Sequence, residues 1–222
     1  MRPIVKICGI MRTEDAHMCV RLGANILGFV VDYPHPVPWN LSLESATKLI
    51  RTVPKPTETC IVTGGLPDKI LNLVQTAKPD YIQLHTNETP KDVSYLSNKL
   101  KKQGIKIIKT LFPNTPNLKK TAKEFSDAGA YALLLDPRTP GNPITGGSAN
   151  LPLYTRIRST VNCPVILAGG INPNNVAEII HQSTPEIIDL MTGIEQSPGI
   201  KDESKVAALF QALNHVTGVG SI

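Results

Sequence analysis

Eight short runs rich in valine, isoleucine and leucine recur along the 222-residue chain, separated by segments of helical periodicity. They are Ile4–Ile10, Ile26–Val31, Thr59–Thr63, Tyr81–His85, Lys106–Phe112, Tyr131–Asp136, Pro164–Gly169 and Ile187–Thr192. Nearly unbroken apolar character marks strands buried on both faces, as in a parallel sheet covered by helices. The amphipathic segments between them are Thr13–Arg21, Ser42–Arg51, Pro67–Thr76, Pro90–Gln103, Pro116–Ala128 and Pro173–His181, with Asp202–His215 last. Four start on proline, which suits a first helical turn because its missing N–H has no partner to lose there. Eight such units in this length predict an α/β fold, a compact (β/α)8 TIM barrel. An open doubly wound sheet is the rival, but no G-x-G-x-x-G follows the first strand, and eight units exceed its usual count. The connections are short, so residues 1–222 are expected to form a single barrel domain.

Hydrophobic residues make up 41% of the chain and charged residues 18%, an ordinary globular balance. No run approaches the roughly 18 apolar residues of a membrane span, and no signal-like layout opens the chain. A cytoplasmic protein with no membrane partner is expected. Cys8, Cys19, Cys60 and Cys163 show no C-x-x-C spacing, so neither a metal site nor a disulfide framework is expected. The formal charge is +5. Its densest clusters, Lys99 to Lys106 and Lys119 to Lys123, fall on or beside helices and read as solvated faces, not as a nucleic-acid surface. A mild positive balance suits a small anionic substrate such as a phosphate ester.

A barrel of this kind carries its site at the C-terminal ends of the strands. Those ends hold Cys8, the loop Asp32 to Trp39, Thr63-Gly64-Gly65, Gln83 to His85, Lys109 to Phe112, Asp136, Gly169-Gly170 and Thr192-Gly193. A strand cysteine is ordinarily a small core residue, and an aspartate at a strand end ordinarily caps a turn. Lys109 could form a Schiff base, orient polar groups or pair with a carboxylate. Lys6 is assigned to the strand face opposite Cys8 and is given no part in the thiol's ionisation.

Taken in order, KICGI, EDA, GANILGFVV, QLH, LLLD, LAGGINPNNV and IDLMTGIEQSPGIKD resemble the segments of the phosphoribosylanthranilate isomerase family, from Val5 to Asp202. The resemblance implies a (β/α)8 barrel of tryptophan biosynthesis that rearranges an aminoaldose phosphate to an aminoketose without cofactor or metal. It implies Cys8 as general base and Asp136 as general acid, with a small phosphorylated sugar as substrate. Gln83, His85, His35, Trp39 and Lys109 are the candidate contacts to the rest of that substrate. For the phosphate, the glycines and backbone of Gly169, Gly170, Thr192 and Gly193 match the usual barrel site. By resemblance, Gly146, Gly147 and Ser148 after the sixth strand join them. A monomer or homodimer is expected.

The resemblance is interrupted after the second strand. Where the family has Ser-Pro-Arg, whose arginine meets the anthranilate carboxylate, this chain reads His35-Pro36-Val37. No arginine or lysine occurs from Val31 to Thr47. Losing a charge-assisted contact costs about 1.5–3 kcal/mol. Arg138 or His35 could meet the carboxylate instead. The alternatives are a paralogous isomerase or lyase for another sugar phosphate, and a non-catalytic barrel that binds a phosphorylated ligand.

Overall fold

A computed structural model describes residues 2–138 and 147–218. Eight parallel strands close into a barrel in sequence order: β1 (Ile4–Ile7), β2 (Ile26–Val30), β3 (Glu58–Thr63), β4 (Tyr81–Leu84), β5 (Lys106–Leu111), β6 (Ala132–Leu135), β7 (Val165–Ala168) and β8 (Ile187–Leu190). β1 pairs with β8, Lys6 opposite Asp189, which completes the ring. The helices outside it are α1 (Thr13–Leu22), α2 (Leu43–Ile50), α3 (Pro67–Ala77), α4 (Pro90–Leu100), α5 (Leu118–Asp127), α6 (Leu151–Arg158), α7 (Val176–Ser183) and α8 (Glu203–Thr217). The (β/α)8 barrel expected from the strand count is the fold observed.

Alternation along each strand sorts the apolar residues into two layers. Ile7, Leu27, Phe29, Ile61 and Ile82 point outward and pack under the helices. Ile26, Val30, Cys60, Val62, Ile108, Leu134, Ile166 and Ile187 fill the barrel interior. Each fully buried branched side chain of this kind contributes roughly 1.5–3 kcal/mol by leaving water. Both faces of the strands are covered, which is why the runs read as continuous rather than alternating.

Three features differ from the sequence expectations. β1 stops at Ile7 instead of Ile10, because Gly9 turns the chain at a φ of 73°. Helix α6 was not foreseen: Asn150 caps it by accepting from the Leu153 N–H, and Pro152 sits in its first turn. Its signal was the Asn-Leu-Pro start, hidden behind a long glycine-rich loop. A two-stranded hairpin, β9 (Glu195–Ser197) and β10 (Ile200–Lys201), also intervenes between β8 and α8.

Candidate active site

The C-terminal ends of the strands surround one mouth with two halves. Arg138, Asp189 and Met191 line both. One half is built from backbone: Gly147, Gly169, Gly170, Thr192 and Gly193 line it, beside Pro137 and Ile171. Gly169 and Gly170 have φ values of 110° and 60°, and a Cβ on Gly170 would lie 3.1 Å from the Gly147 carbonyl oxygen. Only glycine lets these loops approach so closely. Ser148 packs beside Gly170 and does not line the cleft. Gly146 lies outside the described residues.

The other half is largely apolar and is walled by Val30, Tyr33, Val37, Trp39 and Val62, with Cys8, Gln83 and His85 at its base. Trp39 is fixed in place. Its indole Nε1 donates to Glu195 at 3.1 Å, and Glu195 also accepts from the Lys201 ammonium at 2.8 Å. The hairpin after β8 thus holds the loop after β2 against the barrel. Gln83 Nε2 donates to Thr110 Oγ1 at 3.3 Å, while Gln83 Oε1 and Thr63 Oγ1 are buried without a partner. Gln83 lines the slot, so its unmatched acceptor is placed to meet a hydroxyl of a ligand.

Cys8 follows β1 with its sulfur inside the barrel. A Cβ on Gly28 would lie 2.9 Å from Cys8 Sγ and 3.2 Å from Lys6 Nζ, so the glycine on β2 makes room for both groups. Lys6 therefore shares the face of Cys8, which corrects its assignment to the opposite face. Residues two apart on a strand point the same way. Lys6 is fully buried and bonds Asp189 at 2.9 Å. Burial pushes the Cys8 thiol up from its ordinary value; Lys6, Lys201 and Arg138 pull against that, and Asp189 adds to it.

Asp136 ends β6 and is only 2% exposed. Four groups bond its carboxylate. The Arg138 guanidinium grips it through Nε at 2.9 Å and Nη2 at 2.7 Å, and the Arg138 backbone N–H donates at 2.9 Å. His85 Nε2 lies 3.0 Å from Oδ2. An ionised carboxylate can only accept, so His85 Nε2 donates to it, while the Tyr33 hydroxyl lies 2.9 Å from Nδ1 and donates to the His85 carbonyl oxygen at 3.3 Å. Burial would raise the Asp136 carboxyl, but the His85 and Arg138 hydrogen bonds and the guanidinium charge outweigh it and hold the group well below the usual carboxylate range.

These placements sort the remaining expected contacts. Gln83, His85 and Trp39 do border the mouth. His35 is exposed and stands edge-on to Tyr33, ring centres 5.8 Å apart, away from the cleft lining. Lys109 is corrected. It points outward from β5, between the inward-facing Ile108 and Thr110, and bonds Glu88 at 2.8 Å beneath the Phe125 ring of α5. It is a structural cation of the outer layer, matching the carboxylate pairing considered for it and not a substrate contact. Among the described residues no group of three or more His, Cys, Asp or Glu could hold a metal ion, and no helix is long and apolar enough to cross a membrane.

The profile of the N-(5'-phosphoribosyl)anthranilate (PRA) isomerase family matches residues 5–212. The chain belongs to that family. It is 32% identical to the N-(5'-phosphoribosyl)anthranilate isomerase of Nitrosococcus oceani, over 97% of this chain and all of the relative. The crystal structure of the phosphoribosyl anthranilate isomerase of Thermus thermophilus superposes with a TM-score of 0.80 at 31% identity, covering 97% of this chain and 100% of that one. A phosphoribosyl anthranilate isomerase in complex with reduced 1-(o-carboxyphenylamino)-1-deoxyribulose 5-phosphate matches with a TM-score of 0.80, 26% identity and the same coverage. Membership of this isomerase family makes the chain an aldose–ketose isomerase by class. Three parts of its site were missed in the sequence: the Lys6–Asp189 bond, the Glu195–Lys201 brace on Trp39, and the grip of Arg138 on Asp136. Two-residue alternation from Cys8 puts Lys6 on the Cys8 face, but the Lys6–Asp189 and Trp39–Glu195 contacts join segments far apart in the chain, and the fold-back of Arg138 onto Asp136 leaves no signal in a motif.

Proposed function

We propose that the chain converts N-(5'-phosphoribosyl)anthranilate to the corresponding 1-amino-1-deoxyribulose phosphate, an Amadori rearrangement of tryptophan biosynthesis. The observation that carries this reading is the shape of the mouth. A backbone-lined anion cleft and an apolar slot meet at the base where Cys8 and the Asp136 cluster converge. The phosphate would take the glycine cleft and the aromatic ring the slot, which leaves the ribose over Cys8.

The steps then divide between two groups. Asp136 protonates the furanose ring oxygen, the ring opens and the nitrogen lone pair forms an iminium. The Cys8 thiolate removes the proton from the adjacent carbon, and the enolamine tautomerises to the ketone. An acid and a base on different strands of one mouth can serve different atoms of one substrate. The unpartnered oxygen of Gln83 supplies an acceptor for a sugar hydroxyl.

The test is turnover, followed by loss of substrate fluorescence, with complementation of a tryptophan auxotroph as the second readout. Wild-type protein is expected to turn over the anthranilate substrate, and Cys8→Ala and Asp136→Asn to lose activity by at least about 100-fold, the scale of acid–base catalysis. Full activity of Cys8→Ala removes the general-base role. Absence of turnover and of complementation removes the anthranilate substrate and favours the paralogue suggested by Val37.

A further inference from the structure

Asp136, as found, cannot do what the proposed reaction asks of it. It is covered, and the donors around it favour the ionised form. Arg138 lies across it with both arms of the guanidinium, and Arg138, not Asp136, lines the two halves of the mouth. A general acid must be protonated and must touch the leaving oxygen. Some event has to lift the arginine.

The charge inventory of the mouth names the event. A substrate of the proposed kind carries two anions, a phosphate and a carboxylate on the aromatic ring. The phosphate has the glycine backbone of the loops after β7 and β8. The slot that fits the ring is walled by Val30, Tyr33, Val37, Trp39 and Val62, none of which carries a positive charge. Among the described residues lining either half, Arg138 is the one lysine or arginine, and the segment 139–146, Thr-Pro-Gly-Asn-Pro-Ile-Thr-Gly, carries no positive charge. Lys6 and Lys201 are fully buried and bonded to Asp189 and Glu195. The Arg138 side chain is 21% exposed and stands at the boundary of slot and cleft.

We propose that Arg138 takes the ring carboxylate of the substrate and, by turning to it, uncovers Asp136 as the acid. This rests on the isomerase reading and adds a specificity-determining residue to it. The exchange is one carboxylate for another on the same planar fork, so the bidentate geometry is kept. Asp136 retains His85 and the Arg138 backbone N–H, which hold it in place. Among the groups that face it or its guanidinium are His85 after β4, Tyr33 after β2, Cys8 after β1 and Asp189 on β8. Cys8 and Asp136 share one proton before and after the switch. It moves from sulfur to carboxylate, giving a thiolate base and a carboxylic acid with no other donor required. A substrate lacking the carboxylate leaves the arginine on Asp136 and the acid unavailable.

Two probes test this by calorimetry on the whole protein. They are the reduced product analogue bearing the o-carboxyphenyl group and its phenyl counterpart without the carboxylate. Wild type is expected to prefer the carboxylated analogue by about 10- to 100-fold. Arg138→Met is expected to bind both analogues alike, with its circular dichroism spectrum and urea midpoint showing that the variant is folded. In wild type, the carboxylated analogue alone is expected to bring up the infrared band of a protonated carboxyl, and Asp136→Asn is expected to lack it. Retention of the preference in Arg138→Met overturns the assignment, because the carboxylate is then held elsewhere. Equal loss of both analogues overturns it in favour of phosphate binding by Arg138. An Arg138-dependent preference without the infrared band overturns the release of Asp136. Failure of wild type to bind either analogue overturns the isomerase reading itself, which separates the two failures.

Discussion

At the scale of single residues, the proposed chemistry rests on where one proton resides. Burial favours the protonated thiol of Cys8, while hydrogen bonds and charge favour the ionised Asp136. The proposed working form is the reverse arrangement, with the same total charge. Both forms disappear only when the shared proton is lost or a second is gained. We therefore expect kcat/KM to stay flat through neutral pH and to fall on the alkaline side only above the ordinary thiol value of 9.0, because Cys8 titrates higher still. A pH–rate profile checks this. An alkaline limb below that value would sink the assignment of the proton to a buried Cys8. Cys8 and Asp136 were both legible in the sequence, since KICGI and LLLD end strands at the mouth. The state of Asp136 was not, because it depends on how an arginine two residues on folds back, which a motif does not encode.

At the scale of elements, the loops do different work from the strands. Glu88, in the loop after β4, accepts from Lys109 on β5, from the Gly65 N–H after β3, and from the Thr86 N–H and hydroxyl. One buried carboxylate thus ties three βα units together on the outside of the barrel. Burial would raise its pKa, but Lys109 and these donors outweigh that and hold it below the usual range. Removing one member of a buried ion pair strands the other, at a cost of about 3–5 kcal/mol. Glu88→Ala is expected to lose stability on that scale in urea unfolding, with kcat within a few-fold of wild type at 25 °C. A wild-type midpoint for the variant would show that the pair contributes nothing. The sequence placed Lys109 at a strand end and so read it as a substrate contact. Alternation from the inward Ile108 already turns it outward, and only the packed helix layer shows what it meets there.

For the whole molecule, acid stability follows from carboxylates held by ion pairs and hydrogen bonds. Asp136, Glu88 and Asp80 all have folded pKa values below their ordinary values of 3.8, 4.5 and 3.8. Each contributes stability that is fully present above its unfolded value and is lost as pH falls toward its folded one. Unfolding free energy is therefore expected to hold steady above about pH 5 and to decline steeply below the ordinary carboxylate values. Asp136→Asn should flatten part of that decline in denaturant titrations at pH 3 to 5, and an unchanged slope would count against the depressed Asp136. On this scale the sequence was most readable. Eight doubly buried strands can satisfy their backbones and cover both faces in few ways, so apolar runs and short connections alone determined the barrel. The family was legible separately, in motifs spread over nearly the whole chain. Tertiary structure decided the rest: which face Lys6 shares, how Glu195 and Lys201 brace Trp39, and that Arg138 covers Asp136. The physical reason is that burial follows from local pattern, whereas a charge's partner and protonation state depend on side chains that only the closed barrel brings within hydrogen-bond reach.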